Sequence, residues 1–134
     1  MYKRQGRNVL ILFYALDFTP VCAAELPAFK VDYDKLAQSN AVIVAISTDS
    51  VFSHQAFAKS LGGLDFALAS DRWPYAEVAR AYGLFPASRH QFGAVNDRAV
   101  FVVGKDGKIA WQKIYELAEV PNVDEIADVL KRIP

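Results

Sequence analysis

The chain alternates between short, wholly apolar runs and longer stretches in which apolar residues recur every three or four positions. Residues 9–14 and 41–46 are apolar throughout and bounded by polar residues. Runs of this length predict strands covered on both faces, as in a parallel sheet. Between them, Leu26, Phe29, Tyr33 and Leu36 form the stripe of an amphipathic helix that opens at Thr19. Pro27 lies inside that helix and is expected to kink it. Strand, helix and strand at this spacing make a βαβ unit with a right-handed crossover. Reactive groups in such units gather beyond the carboxyl ends of the strands, so residues 14–22 and 47–50 are expected to meet.

Ser47, Thr48, Asp49 and Ser50 lead into a further helix, with Asp49 or Ser50 as its cap and Phe52, Ala56 and Leu61 facing inward. His54 lies on this helix and reads as a surface or hydrogen-bonded histidine rather than a catalytic one. Gly62 and Gly63 end it. Residues 66–69 predict a short strand, and a helix through Ala76, Val78, Ala79 and Tyr82 stops at Gly83. Residues 84–96 read as loop. Residues 98–103 and 109–115 predict two strands joined by a hairpin turn at Lys105, Asp106, Gly107 and Lys108. Asn122 caps a last helix with Val123, Ile126, Ala127, Leu130 and Ile133 on one side.

Composition narrows the function classes. Lys and Arg number 15, as do Asp and Glu, and this balance argues against nucleic acid or an anionic membrane as a partner. No apolar run approaches the roughly 20 residues of a membrane span. A single cysteine among 134 residues cannot build a disulfide framework or a Cys-rich zinc site, and makes a reducing, cytoplasmic compartment the default. No metal or cofactor is expected.

That cysteine, Cys22, is the strongest candidate for chemistry. Thr19 suits the N-cap and Pro20 the first helical position, where a missing N–H costs nothing. Cys22 then lies in the first turn, where unpaired backbone N–H groups and the positive end of the helix dipole favour thiolate over thiol. The plain alternative is a small buried hydrophobe.

The stretch from Phe13 to Glu25 resembles the active-site segment of the peroxiredoxins, thiol peroxidases with a P-x-x-x-T-x-x-C motif after a strand ending in Phe-Tyr. Thr19 and Cys22 match, and Glu25 matches an acidic residue often found three after the cysteine. The motif proline falls at Ala15, a departure that bears on how the cysteine is shielded. Arg98, heading the strand 98–103, matches the family's second signature, an arginine that contacts the cysteine sulfur and the peroxide. The Asp49–His54 run resembles another family segment. The Ser-Asp-x-Trp-Pro run ending at Pro74 and the later Ala-x-x-Tyr-Gly are similar to the one-cysteine, AhpE-like branch, with Trp73 a candidate for a pocket or subunit contact. The element order βαβαβαββα describes a thioredoxin-like α/β fold, with residues 1–134 as one domain; the pairing order of the strands comes from the resemblance. Such proteins normally carry a strand hairpin ahead of the first strand here, so residues 1–5 are expected not to be native and the chain to be N-terminally truncated.

The resemblance implies a thiol-dependent peroxidase. Thiolate character alone is too little: a free thiol is about 3% thiolate at neutral pH, so full deprotonation gains at most roughly 30-fold. The remainder must come from stabilising charge as the O–O bond breaks. Arg98 suits that task, and the Thr19 hydroxyl can accept from peroxide while donating to sulfur. The backbone N–H groups of Val21 and Cys22 complete the expected site. Cys22 becomes a sulfenic acid. Some family members place a resolving cysteine five residues on, where this chain has Pro27, so recycling is expected from an external thiol: a small thiol, a thioredoxin or a glutaredoxin. The family also allows a homodimer. A thioredoxin-type oxidoreductase would want Cys-x-x-Cys, whereas Ala23, Ala24 and Glu25 follow Cys22. A Cys-His hydrolase would need His54 or His90 as base, neither in a recognisable pattern. A slowly oxidised redox sensor or interaction module on the same fold is the other reading.

Overall fold

The computed structural model describes residues 6–86, 94–116 and 118–134. Its order is β1 (Asn8–Phe13), α1 (Pro20–Val31), α2 (Tyr33–Ala37), β2 (Ala41–Ser47), α3 (Val51–Ser60), β3 (Ala67–Ser70), α4 (Glu77–Ala81), β4 (Arg98–Val103), β5 (Ile109–Tyr115) and α5 (Val123–Arg132). The strands form one mixed sheet in the order β3-β2-β1-β4-β5. β1 runs parallel to β2, and β2 to β3, while β4 is antiparallel to both β1 and β5. This is the thioredoxin-like arrangement.

The unbroken apolar run of β1 has its cause in its central place. Leu10 and Leu12 point into one core, with Leu26 and Phe29 of α1, Phe57 of α3 and Ile126 and Leu130 of α5. Val9, Ile11 and Phe13 point into a second core on the opposite face, with Ala79 of α4, Leu84 and Phe101. A strand buried on both faces keeps no polar alternation. Among the described residues no helix is long and apolar enough to cross a membrane.

Several expectations need correction. The helix opening at Thr19 does not run on through Tyr33 and Leu36: Asp32, at φ −99° and ψ 18°, leaves the helical region and separates α1 from α2. Pro27 lies inside α1, as expected, and the helix continues past it to Val31. On α3 the inward residues are His54 and Phe57, while Phe52 and Ala56 are exposed. Apolarity predicted the wrong face there because a buried polar side chain, His54, is secured by partners from other elements. Finally, β3 begins at Ala67 rather than Phe66, and α4 at Glu77, because Ala76 adopts a left-handed backbone (φ 58°).

The topology explains why two distant segments share one place. β4 is antiparallel to β1 with Phe13 opposite Ala99, so Arg98 stands at the carboxyl end of β1. The β1–α1 connection leaves from that same end. The end of β2 and the residues after it also arrive there: the Tyr14 N–H donates to the Ile46 carbonyl at 3.1 Å, and the Asp17 N–H to Asp49 Oδ2 at 2.9 Å.

Candidate active site

Cys22 sits in the first turn of α1 and is wholly buried. The first backbone bond of that helix runs from the Ala23 N–H to the Thr19 carbonyl at 2.8 Å. The N–H groups of Val21 and Cys22 therefore precede the intrahelical ladder, as expected. Part of the Cys22 environment is apolar: Leu10, Leu12, Tyr14 and Leu26 belong to the same core. Burial alone would suit a small hydrophobe. The guanidinium beside it does not.

Arg98 is one of the largest fully buried side chains in the protein. Its Nη2 donates to Cys22 Sγ at 3.3 Å, and its Nη1 to Glu25 Oε2. Glu25 is also wholly buried. Cys22 and Glu25 are three residues apart on α1 and so share a face, which lets one guanidinium fork span both. The structure thus brings together Cys22, Arg98 and Glu25 from chain segments more than seventy residues apart. The ion pair was not anticipated from sequence; the i, i+3 spacing of Cys22 and Glu25 was the available signal.

Thr19 has the extended backbone of an N-cap (φ −79°, ψ 150°), but its side chain makes no capping bond. Instead its hydroxyl donates to the Leu16 carbonyl at 2.8 Å. The expectation that it donates to the sulfur is corrected accordingly: its proton is committed to the loop, which leaves its lone pairs to accept. Between Asp17 and Thr19, Phe18 holds a left-handed backbone (φ 66°). For a bulky residue this costs about 1–3 kcal/mol, which the surrounding contacts must offset. One such contact is the Phe18 ring against Phe57, with centroids 5.0 Å apart.

Burial pushes the Glu25 carboxyl up to about 7, against the pull of Arg98. The native state then binds the Glu25 proton more tightly than an unfolded chain with the ordinary value of 4.5. Between those two values the native state holds more protons, so the stability contributed through Glu25 is fullest at the acid end and falls as pH rises through about 7. Urea unfolding should show this as a wild-type stability that declines relative to Glu25→Gln from about pH 5 to pH 8. A difference that stays constant with pH would contradict it.

His54 is buried and hydrogen-bonded, with Nδ1 2.9 Å from Asp17 Oδ2. This is the hydrogen-bonded placement of the two expected for it, although the polar cluster it joins with Asp17 and Tyr14 was not foreseen. His90 lies outside the described residues. Trp73 is 92% exposed and borders a groove with Val51, Phe52, Arg72 and Tyr75.

A thioredoxin-like sheet that delivers a helix-terminal cysteine to a buried guanidinium defines a class of thiol-chemistry protein. Comparison with known proteins narrows it. Residues 1–112 match the model of the AhpC/TSA family. The chain is 33% identical over 117 residues to alkyl hydroperoxide reductase E of Mycobacterium tuberculosis, covering 87% of this chain and 73% of that one. It is 34% identical over 132 residues to peroxiredoxin tpx1 of Schizosaccharomyces pombe, covering 94% of this chain and 66% of that one. Among solved structures, Mycobacterium tuberculosis AhpC superimposes with a TM-score of 0.83 at 30% identity, over 96% of this chain and 70% of that one. A mutant form of Xylella fastidiosa PrxQ gives 0.85 at 25% identity, over 97% of this chain and 79% of that one. The chain belongs to the AhpC/TSA family of peroxiredoxins, and its single cysteine fits the one-cysteine, AhpE-like pattern.

Proposed function

We propose that this protein is a thiol-dependent peroxidase in which Cys22 is the peroxidatic nucleophile and Arg98 and Thr19 are catalytic partners. The observation that carries the assignment is the Arg98 guanidinium 3.3 Å from Cys22 Sγ in a buried site. The sulfur of the Cys22 thiolate attacks one peroxide oxygen. A sulfur–oxygen bond forms, the O–O bond breaks, and the departing hydroxide or alkoxide takes a proton to leave as water or alcohol. Cys22 is oxidised to sulfenic acid. Arg98 stabilises the charge that builds on the oxygens. Thr19 accepts a hydrogen bond from the peroxide O–H, and the Val21 and Cys22 N–H groups add donors at the helix end. Glu25 holds Arg98 in place.

Two equivalents of an external thiol complete the cycle. The first condenses with the sulfenic acid, releasing water and leaving a mixed disulfide, which the second reduces. Thioredoxin, a glutaredoxin or a small thiol fits this role, and the reducing cytoplasm suits a free cysteine. The substrate class is hydrogen peroxide or organic hydroperoxides. Steady-state peroxide consumption with each thiol in turn tests the reading: turnover is expected for the wild type and none for Cys22→Ser. Turnover that survives in Cys22→Ser would overturn it.

A homodimer through the face bearing Val51, Phe52 and Trp73 accompanies this proposal. Exposures of 81% for Phe52 and 92% for Trp73 leave two large apolar side chains in water on one groove. Sedimentation equilibrium is expected to show a dimer that Trp73→Glu converts to monomer; an unchanged mass for the variant would contradict this interface.

A further inference from the structure

The peroxidase reading leaves unused a cluster of buried polar side chains. Asp17, His54 and Tyr14 are all buried. Asp17 Oδ1 accepts from the Tyr14 hydroxyl at 2.6 Å, and Oδ2 accepts from the Ser53 hydroxyl at 2.8 Å and faces His54 Nδ1 at 2.9 Å. His54 Nε2 lies 3.1 Å from the Ala69 carbonyl oxygen. Nδ1 also lies 3.3 Å from the Tyr14 hydroxyl, whose proton goes to Asp17, so the remaining oxygens at both ring nitrogens are acceptors and are best matched by a ring that carries both protons, an imidazolium. The Asp17 N–H donates to Asp49 Oδ2, which also accepts from the Ser47 hydroxyl at 2.6 Å.

These bonds converge on the loop that delivers the cysteine. Asp17 lies just ahead of the left-handed Phe18, which leads directly into Thr19. α3 grips both sides of that strained residue, His54 holding Asp17 and Phe57 packing on the Phe18 ring. We propose that Asp17 and His54 are positioning residues for the peroxidase site, a buried carboxylate–imidazolium pair that anchors the β1–α1 connection to α3 and so sets where Thr19 and Cys22 stand relative to Arg98. The proposal rests on the peroxidase reading above.

The pair also implies a pH dependence. Facing His54 are Tyr14 and Asp17 from the end of β1 and the loop after it, Asp49 from the loop after β2, and the Ala69 carbonyl from β3. α3 itself contributes the Ser53 hydroxyl, through Asp17. Tyr14 stays neutral, its phenol pushed upward by burial and by Asp17. Burial works against the imidazolium, but the hydrogen bond and charge of Asp17, the Ala69 carbonyl and Asp49 outweigh it, and the net direction is upward. Loss of the proton at alkaline pH turns one ring lone pair against an oxygen and releases the anchor.

The test is the second-order rate of Cys22 oxidation by hydrogen peroxide from about pH 5 to pH 10 in the wild type, Asp17→Asn and His54→Gln, alongside nitrogen NMR shifts of the wild-type imidazole. Both variants are expected to react about 10- to 100-fold more slowly at neutral pH, as a small misplacement of reacting groups does. The wild type should lose rate at alkaline pH as His54 loses its proton, and His54→Gln should lack that limb. A fast wild type whose variants react equally fast or faster overturns the proposal while sparing the peroxidase. A wild-type rate no higher than a free thiolate's removes the peroxidase reading and this proposal with it. If the variants fail to fold, the wild type decides alone: a neutral His54 at pH 7, or an alkaline limb that does not follow its titration, overturns the anchor.

Discussion

Arg98→Ala is expected to slow oxidation of Cys22 by hydrogen peroxide by about 100- to 1,000-fold, the usual cost of removing a preorganised donor from a buried site. The reason lies in what the guanidinium touches. One nitrogen reaches Cys22 Sγ at 3.3 Å and another the Glu25 carboxylate, all in full burial. In that setting a fixed charge acts with little solvent screening. The substitution also leaves Glu25 without its ion-pair partner. Breaking a buried pair in this way costs about 3–5 kcal/mol when the remaining charge cannot escape. Here Glu25 can take up a proton, since burial already pushes it up to about 7, so the loss should fall toward the lower end at neutral pH. Adding Glu25→Gln to Arg98→Ala separates the two effects. Stability, read from urea midpoints, should recover while the oxidation rate stays low. Recovery of the rate in the double variant would show that Arg98 acts only through stability.

Thr19→Val is expected to lower the same rate by about 10- to 100-fold, in line with the loss of one hydrogen bond to a developing charge. Valine keeps the shape and the β-branch. It removes the bond to the Leu16 carbonyl, which is 2.8 Å long, and with it the lone pairs that would accept from peroxide. Thr19→Ser keeps the hydroxyl and should keep most of the rate. Because the Thr19 side chain makes no capping bond, the stability change in Thr19→Val should stay at or below the ~1 kcal/mol typical of lost caps. Equal rates for the valine and serine variants would rule out a chemical role for the hydroxyl.

Local pattern made β1, β2, β4 and β5 legible, because each strand announces itself through its own apolar content and its own turn residues. The hairpin of β4 and β5 has the bounds expected from the Asp-Gly turn at Asp106 and Gly107. What sequence could not show is the set of contacts between segments far apart. α3 turns His54 inward because Asp17, 37 residues earlier, waits for it, and no periodicity on the helix encodes that. The Glu25–Arg98 pair bridges 73 residues, and its two members look like ordinary surface charges when read singly. The direction of the Thr19 hydroxyl was not legible for a nearer reason. As an N-cap it has the right backbone, but the left-handed Phe18 tightens the loop and brings the Leu16 carbonyl within reach of the hydroxyl.

The central claim is that Cys22 is a peroxidatic thiolate assembled with Arg98 and Thr19. The measurement that tests it most directly is the second-order rate of Cys22 oxidation by hydrogen peroxide in the reduced protein, followed by tryptophan fluorescence with sulfenic acid trapped as the product. The expected result is a rate orders of magnitude above that of a free thiolate, lost in both Arg98→Ala and Thr19→Val. A wild-type rate equal to that of a free thiolate, unmoved by either substitution, would contradict the claim and leave Cys22 as a slow sensor or a core residue.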